Sequence, residues 1–260
     1  MRTILDEIIE NKQLEVAQLK REKSVEDFQH SPLFQRTKRS LVKSLAEVSF
    51  GIIAEIKRKS PSGGDIFPEL SPIEQALYYQ KNGARAISVL TDLNYFGGTM
   101  KDLTLVSNNV EIPVLRKEFI IDEIQLYEAK AGGADAVLLI AMILEKDQIT
   151  ELTNKAHEIG LEVLFEVHTP EDEAKIYDQV DLIAVNNRSL AFQKTNLEHS
   201  FEWIKKLPKH LPLISASGIS QMEQIQALHE IGYTGALIGE SILRNQHLEL
   251  LTLKHQNHVR

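Results

Sequence analysis

The chain has 260 residues and no cysteine, so it can bury a large core unaided, while thiol catalysis, thiolate metal sites and disulfides are excluded. A formal net charge of −8 with no lysine- or arginine-rich block argues against a nucleic-acid binder. The start is acidic (Asp6-Glu7) and no apolar run approaches the roughly 20 residues that span a bilayer, so a cytoplasmic protein with no membrane partner is expected.

The first segment predicts helices. Thr3 with Asp6 matches a capping box, and Ile4, Leu5, Ile8, Ile9, Val16 and Leu19 recur at helical spacing. Ser24 with Asp27 repeats the box before a shorter helix. From Gly51 the rhythm changes. Short β-branched or apolar runs predict strands at Gly51–Lys57, Ala86–Thr91, Pro113–Phe119, Ala136–Ala141, Leu161–Val167, Leu182–Asn187, Leu211–Ser217 and Gly235–Gly239. Between them, Pro72–Asn82, Asp122–Ala131, Glu145–Ile159 and Gln221–Ile231 carry helical periodicity. Gly83, Gly132-Gly133, Gly160 and Gly232 sit where a helix end needs a left-handed residue. Eight strand–helix alternations predict an α/β fold: a (β/α)8 TIM barrel in one domain, with residues 1–47 as an N-terminal helical extension and 48–260 as the barrel. An open doubly wound sheet usually has about six or seven strands, and no G-x-G-x-x-G follows the first strand here.

Charge near the C-terminal end of a buried strand is costly unless it serves something. Glu55 and Lys57, two apart on the first strand, point to one face. Lys117 lies in phase with Leu115 and Phe119 on the third, Glu166 is on the fifth, and the sixth ends Asn186-Asn187-Arg188. Any one of these fits a structural ion pair at the rim. Five charged groups on four strands at the same end predict an active site at the barrel's C-terminal mouth. Ser215-Ala216-Ser217-Gly218-Ile219 and Ile238-Gly239-Glu240-Ser241 each end a strand and open a helix, the common barrel arrangement for phosphate. The Glu240 carboxylate is expected to turn away and leave only its N–H. Ser60-Pro61-Ser62-Gly63-Gly64 supplies hydroxyls and a loop able to fold over a ligand.

With Lys57, Lys117 and Arg188 against Glu55 and Glu166, the mouth is expected to be net positive and to focus anions. Neighbouring cations are expected to make Lys117 or Lys57 give up its proton more readily. No metal or organic cofactor is called for: the nine histidines include no H-x-x-x-H pair in a helix. Trp203, among Phe201, Ile204 and Leu207, reads as packing.

Six stretches resemble the indole-3-glycerol-phosphate synthase family over essentially the whole chain. They are Ile53-Ala54-Glu55-Ile56-Lys57-Arg58-Lys59-Ser60-Pro61-Ser62, Pro113-Val114-Leu115-Arg116-Lys117-Glu118-Phe119-Ile120, Phe165-Glu166-Val167-His168, Val185-Asn186-Asn187-Arg188-Ser189-Leu190, Ser217-Gly218-Ile219 and Leu237-Ile238-Gly239-Glu240-Ser241. The resemblance implies a carboxy-lyase of tryptophan biosynthesis. Its substrate, 1-(2-carboxyphenylamino)-1-deoxyribulose 5-phosphate, loses carbon dioxide and water to give indole-3-glycerol phosphate. By that similarity Lys117 is a general acid at the ketone, with Glu55 and Lys57 beside it, and Glu166 handles a proton in the dehydration. Asn186 and Arg188 hold the carboxylate and hydroxyls. Ser60, Gly218, Gly239 and Glu240 bind the phosphate, the last three through the backbone, with Ser217 also on the substrate side. Phe96, Phe119, Leu138 and Leu190 form an apolar slot for the aromatic ring. The division of acid and base roles among Lys57, Lys117 and Glu166 stays open. The implied partner is a small phosphorylated anion, and a monomer or weak oligomer is expected.

Three positions depart from the family pattern. Glu118 replaces aspartate on what reads as an outward face, and Ser189 replaces the aspartate after Arg188, which is expected to loosen the arginine. Ala216 replaces a glutamate that points into the barrel; alanine neither accepts a hydrogen bond nor carries charge. It supports an alternative, an impaired or non-catalytic paralogue that binds an anionic metabolite, against which stand the intact Lys57, Lys117 and Glu166. The neighbouring phosphoribosylanthranilate isomerase family uses a cysteine base, which this chain lacks.

Overall fold

A computed structural model describes residues 3–61, 63–189, 195–244 and 251. Eight strands form its centre: β1 (Gly51–Ile56), β2 (Ala86–Leu90), β3 (Val114–Lys117), β4 (Ala136–Ile140), β5 (Glu162–Val167), β6 (Leu182–Asn186), β7 (Leu213–Ala216) and β8 (Gly235–Ile238). All pair in parallel and close in the order β1-β8-β7-β6-β5-β4-β3-β2, a (β/α)8 barrel. Each strand is the predicted run trimmed by one residue, or by three for β3 and β7. Lys59–Ser60 and Gly64–Asp65 add a small antiparallel pair, so the expected loop after β1 is a closed hairpin.

Alternation along the strands sorts the side chains. Ile53, Leu115, Leu138, Leu164, Ile214 and Leu237 fill the barrel, while Ile52, Ile87, Val137, Val163 and Ile183 face the helices. Burial of each such side chain stabilises the fold by about 1.5–3 kcal/mol, and the interior leaves polar groups room only at its ends.

The helices are α1 (Ile4–Glu22), α2 (Val25–Gln29), α3 (Leu41–Ala46), α4 (Pro72–Lys81), α5 (Leu93–Phe96), α6 (Met100–Asn109), α7 (Ile124–Ala131), α8 (Lys146–Glu158), α9 (Glu198–Trp203), α10 (Met222–Ile231) and α11 (Glu240–Arg244). Both expected capping boxes form, at Thr3/Asp6 and Ser24/Asp27. Between β5 and β6 a short 3-10 segment, Pro170–Lys175, stands in place of an α-helix. Trp203 is buried and donates to His199, which in turn contacts the Asn186 carbonyl, so it packs as expected.

The extension grips both ends of the barrel. At the N-terminal face, Glu162 accepts hydrogen bonds from the backbone of Leu41 and Val42, capping α3, and Arg36 and Arg39 pair with the fully buried Asp135. At the other face, Ile4, Leu5 and Ile8 of α1 reach over the mouth. Among the described residues no helix is long and apolar enough to cross a membrane.

Candidate active site

Polar residues from four strand ends converge on one cleft of about 1040 Å³, its opening included, at the C-terminal mouth. Glu55 ends the inward row of β1, Lys57 follows it, Lys117 ends β3, Glu166 lies on β5 and Asn186 ends β6; all line the cleft, with Arg188 just beyond. The charges form one chain. Lys57 Nζ lies 2.8 Å from Glu55 Oε1, Lys117 Nζ lies 3.4 Å from Glu55 Oε2 and 3.6 Å from Glu166 Oε2, and Glu166 Oε1 lies 2.8 Å from His168 Nε2. Glu55 and Glu166 are buried, and Lys117 keeps only 15 % of its side chain exposed.

Burial alone would make both carboxyls hold their protons, but the ammonium groups win. Lys57 and Lys117 bring Glu55 down to about 2. Lys117 and His168, with a further hydrogen bond from Asn186, bring Glu166 down to about 2. For Lys117 the same balance runs the other way: burial favours the neutral amine, yet Glu166 and Glu55 together outweigh it and raise its pKa above the usual lysine value of 10.5. For Lys117 the expectation of a lysine made more acidic by cations is therefore corrected. The nearest charges to Lys117 are carboxylates, and they hold it as an ammonium.

The loops after β7 and β8 meet on the far side of the cleft. Ser217, Gly218, Ile219, Gly239, Glu240 and Ser241 all line it, and Ser241 Oγ donates to the Ile219 carbonyl, tying one loop to the other. Ser217 and Gly218 are both left-handed, at φ 70° and 78°. A non-glycine residue pays for this with strain of order 1–3 kcal/mol, a cost often found where a ligand is held. The helix after this loop begins only at Met222, so the loop does not open it directly. Asn187 turns away from the cleft and braces β6 to this loop through Ser215 Oγ and the Ser217 carbonyl.

Arg188 is anchored despite Ser189: its backbone N–H donates to Asn186 Oδ1, and its guanidinium lies 3.6 Å from Glu240. That contact corrects a second expectation, since the Glu240 carboxylate faces the mouth instead of turning away. Lys57, Lys117 and Arg188 thus stand against Glu55, Glu166 and Glu240, and the mouth is charge-balanced rather than net positive.

Phe96, Phe119 and Leu138 line the apolar side, the two rings 6.1 Å apart. Ser60 is buried at the rim, where its Oγ accepts from the Gly63 N–H. Leu190 lies outside the described residues. The sequence reading missed the third apolar wall, Ile4, Leu5 and Ile8 of α1, because their spacing marks a helix and says nothing of what it covers. It also missed His168 as the partner of Glu166; two residues apart on an extended segment, the pair shares a face, and that was the available signal.

Glu118 does not sit on a solvated outer face. It is 3 % exposed and pairs with the buried Lys12. Ala216 is fully buried in the inner apolar layer, in register with Asn186 on one side and Leu237 on the other.

Comparison with known proteins adds identity to this geometry. A family model described as indole-3-glycerol phosphate synthase matches residues 5–254. The chain is 45 % identical over 244 residues to an indole-3-glycerol phosphate synthase of Bacteroides thetaiotaomicron, covering 94 % of each chain. It is 42 % identical to the one from Exiguobacterium sibiricum, covering 93 % of this chain and 92 % of that one. Among solved structures it resembles an N-acetylmannosamine-6-phosphate 2-epimerase from Clostridium perfringens, with TM-score 0.58 at 14 % identity over 83 % of this chain and 96 % of that one. It also resembles the tryptophan synthase alpha subunit of Legionella pneumophila, with TM-score 0.56 at 16 % identity over 80 % and 88 %. At such identities these two speak for the barrel alone.

Proposed function

The chain belongs to the indole-3-glycerol phosphate synthase family, the carboxy-lyases of tryptophan biosynthesis, and on that premise we propose how its mouth divides the reaction. The family's substrate, 1-(2-carboxyphenylamino)-1-deoxyribulose 5-phosphate, carries a phosphate, a ketone and an aromatic carboxylate. The phosphate sits in the β7 and β8 loops, on the backbone of Gly218, Gly239 and Glu240 and near Ser60 and Ser217. The aromatic ring lies against Phe96, Phe119 and Leu138, and Arg188 with Asn186 holds the carboxylate and hydroxyls.

Ring closure joins the carboxylate-bearing ring carbon to the ketone carbon, and the ketone oxygen takes a proton. Lys117 supplies it. Its two carboxylate neighbours keep it charged until the oxygen becomes basic enough to accept. Carbon dioxide then leaves and its bonding electrons restore the aromatic ring. In the last step the new hydroxyl departs as water with a second proton, and a base removes the proton from the carbon next to nitrogen. Glu166, ionised and held by His168, serves as that base; its contact with His168 and its low pKa support the role. Lys57, held by Glu55, is the remaining acid within the cleft.

One observation carries this reading: Lys117 is suspended between Glu55 and Glu166, in the same cleft as the joined glycine loops. It is tested by incubating the protein with substrate and following indole fluorescence. Wild-type turnover lost in Lys117→Met is expected; a wild-type chain that binds but never releases the fluorescent product would return the assignment to a non-catalytic anion binder. The acidic net charge speaks against nucleic acid as a partner and the lack of cysteine fits a reducing compartment, so the reading is of a single-domain monomer or weak oligomer acting in the cytoplasm on a small anion.

A further inference from the structure

Lys12 is part of α1, outside the barrel, yet only 3 % of it is exposed. Its Nζ lies 3.0 Å from Asp92 Oδ2, 3.0 Å from Glu118 Oε1 and 2.5 Å from Glu15 Oε2: it donates a hydrogen bond to Glu15 and forms close ion pairs with the two buried carboxylates. Burial opposes the charge, and Glu118 with Asp92 more than offsets it, holding the proton affinity well above lysine's usual range. A buried ion pair is weak evidence for stability, because burying both charges costs much of what their attraction returns. This one is better explained by what it connects.

Each buried carboxylate belongs to a segment that carries one ring of the apolar wall. Asp92 caps α5, accepting from the Tyr95 N–H at 2.7 Å, and α5 ends in Phe96. Glu118 lies between Lys117 and Phe119; it accepts from the Phe119 N–H at 2.9 Å and from Thr91 Oγ1 at 2.7 Å. On the helix itself, Ile4, Ile8 and Lys12 follow at steps of four and so share one face. The first two, with Leu5, line the cleft while Lys12 grips the barrel behind them.

We propose that Lys12 is a positioning residue: its ammonium clasps α1 across the mouth and sets Ile4, Leu5 and Ile8 against Phe96 and Phe119, completing the slot for the substrate's aromatic ring. The proposal rests on the function assigned above. It makes the clasp act on the aromatic end of the ligand and leaves the phosphate end alone.

The test compares wild type, Lys12→Met, and Lys12→Met combined with Glu118→Gln, which removes one of the carboxylates left unpaired. Lys12→Met is expected to raise the substrate KM and the Kd for indole-3-glycerol phosphate about tenfold, with inhibition by inorganic phosphate changed by less than about twofold. The double variant is expected to regain Tm without regaining KM. Unchanged KM and Kd in a folded Lys12→Met protein would overturn the proposal, as would weakening of phosphate and product alike, or recovery of KM together with Tm. If neither variant folds, hydrogen exchange on the wild type decides: product must slow the α1 amides more than phosphate does, and equal slowing sinks the idea. A wild-type chain without turnover would instead remove the function reading, a result distinct from all of these.

Discussion

At the scale of single residues, the site is a set of opposed charges whose balance fixes which proton sits where. Because Lys117 is raised above 10.5, it contributes no basic limb to kcat/KM below that pH. A rate profile that falls near pH 8 with the side chain of Lys117 responsible would contradict the geometry. Glu55 and Glu166, at about 2, stay ionised over the working range. Any acid limb near pH 6 is then expected from the substrate phosphate, whose second proton leaves at about that pH. Both carboxyls titrate lower in the folded chain than the ordinary 4.5, so they stabilise it above that value and the contribution is lost as pH falls toward 2. Denaturant titrations should show Glu166→Gln losing less stability than wild type across this window. Its kcat should fall by about 10²–10⁴ at neutral pH, the usual worth of a positioned acid or base. Ala216→Glu is expected to raise turnover by restoring a carboxylate beside Asn186, while lowering Tm, since the position is fully buried. No gain in kcat with substrate still bound would mean that the site, as built, does not use that carboxylate.

At the scale of elements, the two glycine loops should fail differently when altered. A Cβ on Gly218 would stand 2.3 Å from Thr195 Cγ2 on a backbone at φ 78°, so Gly218→Ala deforms the phosphate loop itself. A Cβ on Gly239 would stand 2.6 Å from Glu55 Oε1 and 3.1 Å from Glu55 Cβ, so Gly239→Ala displaces a carboxylate that holds both lysines. Steady-state kinetics should therefore show Gly218→Ala mainly raising KM and Gly239→Ala mainly lowering kcat. The reverse pattern would mean that the two loops have been assigned the wrong tasks.

At the scale of the whole molecule, a chain of net charge −8 presents a charge-balanced mouth to an anionic substrate. Long-range attraction is then absent, and only contacts inside the cleft favour binding. Adding salt screens the repulsion from the rest of the surface. Stopped-flow or low-substrate kinetics should show kcat/KM flat or rising between about 20 and 200 mM sodium chloride, within a few Debye lengths' worth of screening. A steep decline would restore the picture of an anion-focusing mouth.

Much of this was readable in advance. Strand after strand, β-branched runs and helix-ending glycines determined the barrel, because a strand buried on both faces has few other compositions open to it. The charges on β1, β3 and β5 announced the mouth because they gather at one end of a buried sheet, where burying a charge is costly. What the chain order could not express was direction and neighbourhood. Whether Glu240 turns in or out, whether Glu118 meets solvent or Lys12, and which charges stand nearest Lys117 depend on groups far apart along the chain. The sequence by itself determined the fold and the place of the chemistry, through local periodicity and the cost of burying charge. Only the tertiary structure decided the proton affinities and the third wall of the slot, because Coulomb energies and packing follow distance in space and take no account of separation along the chain.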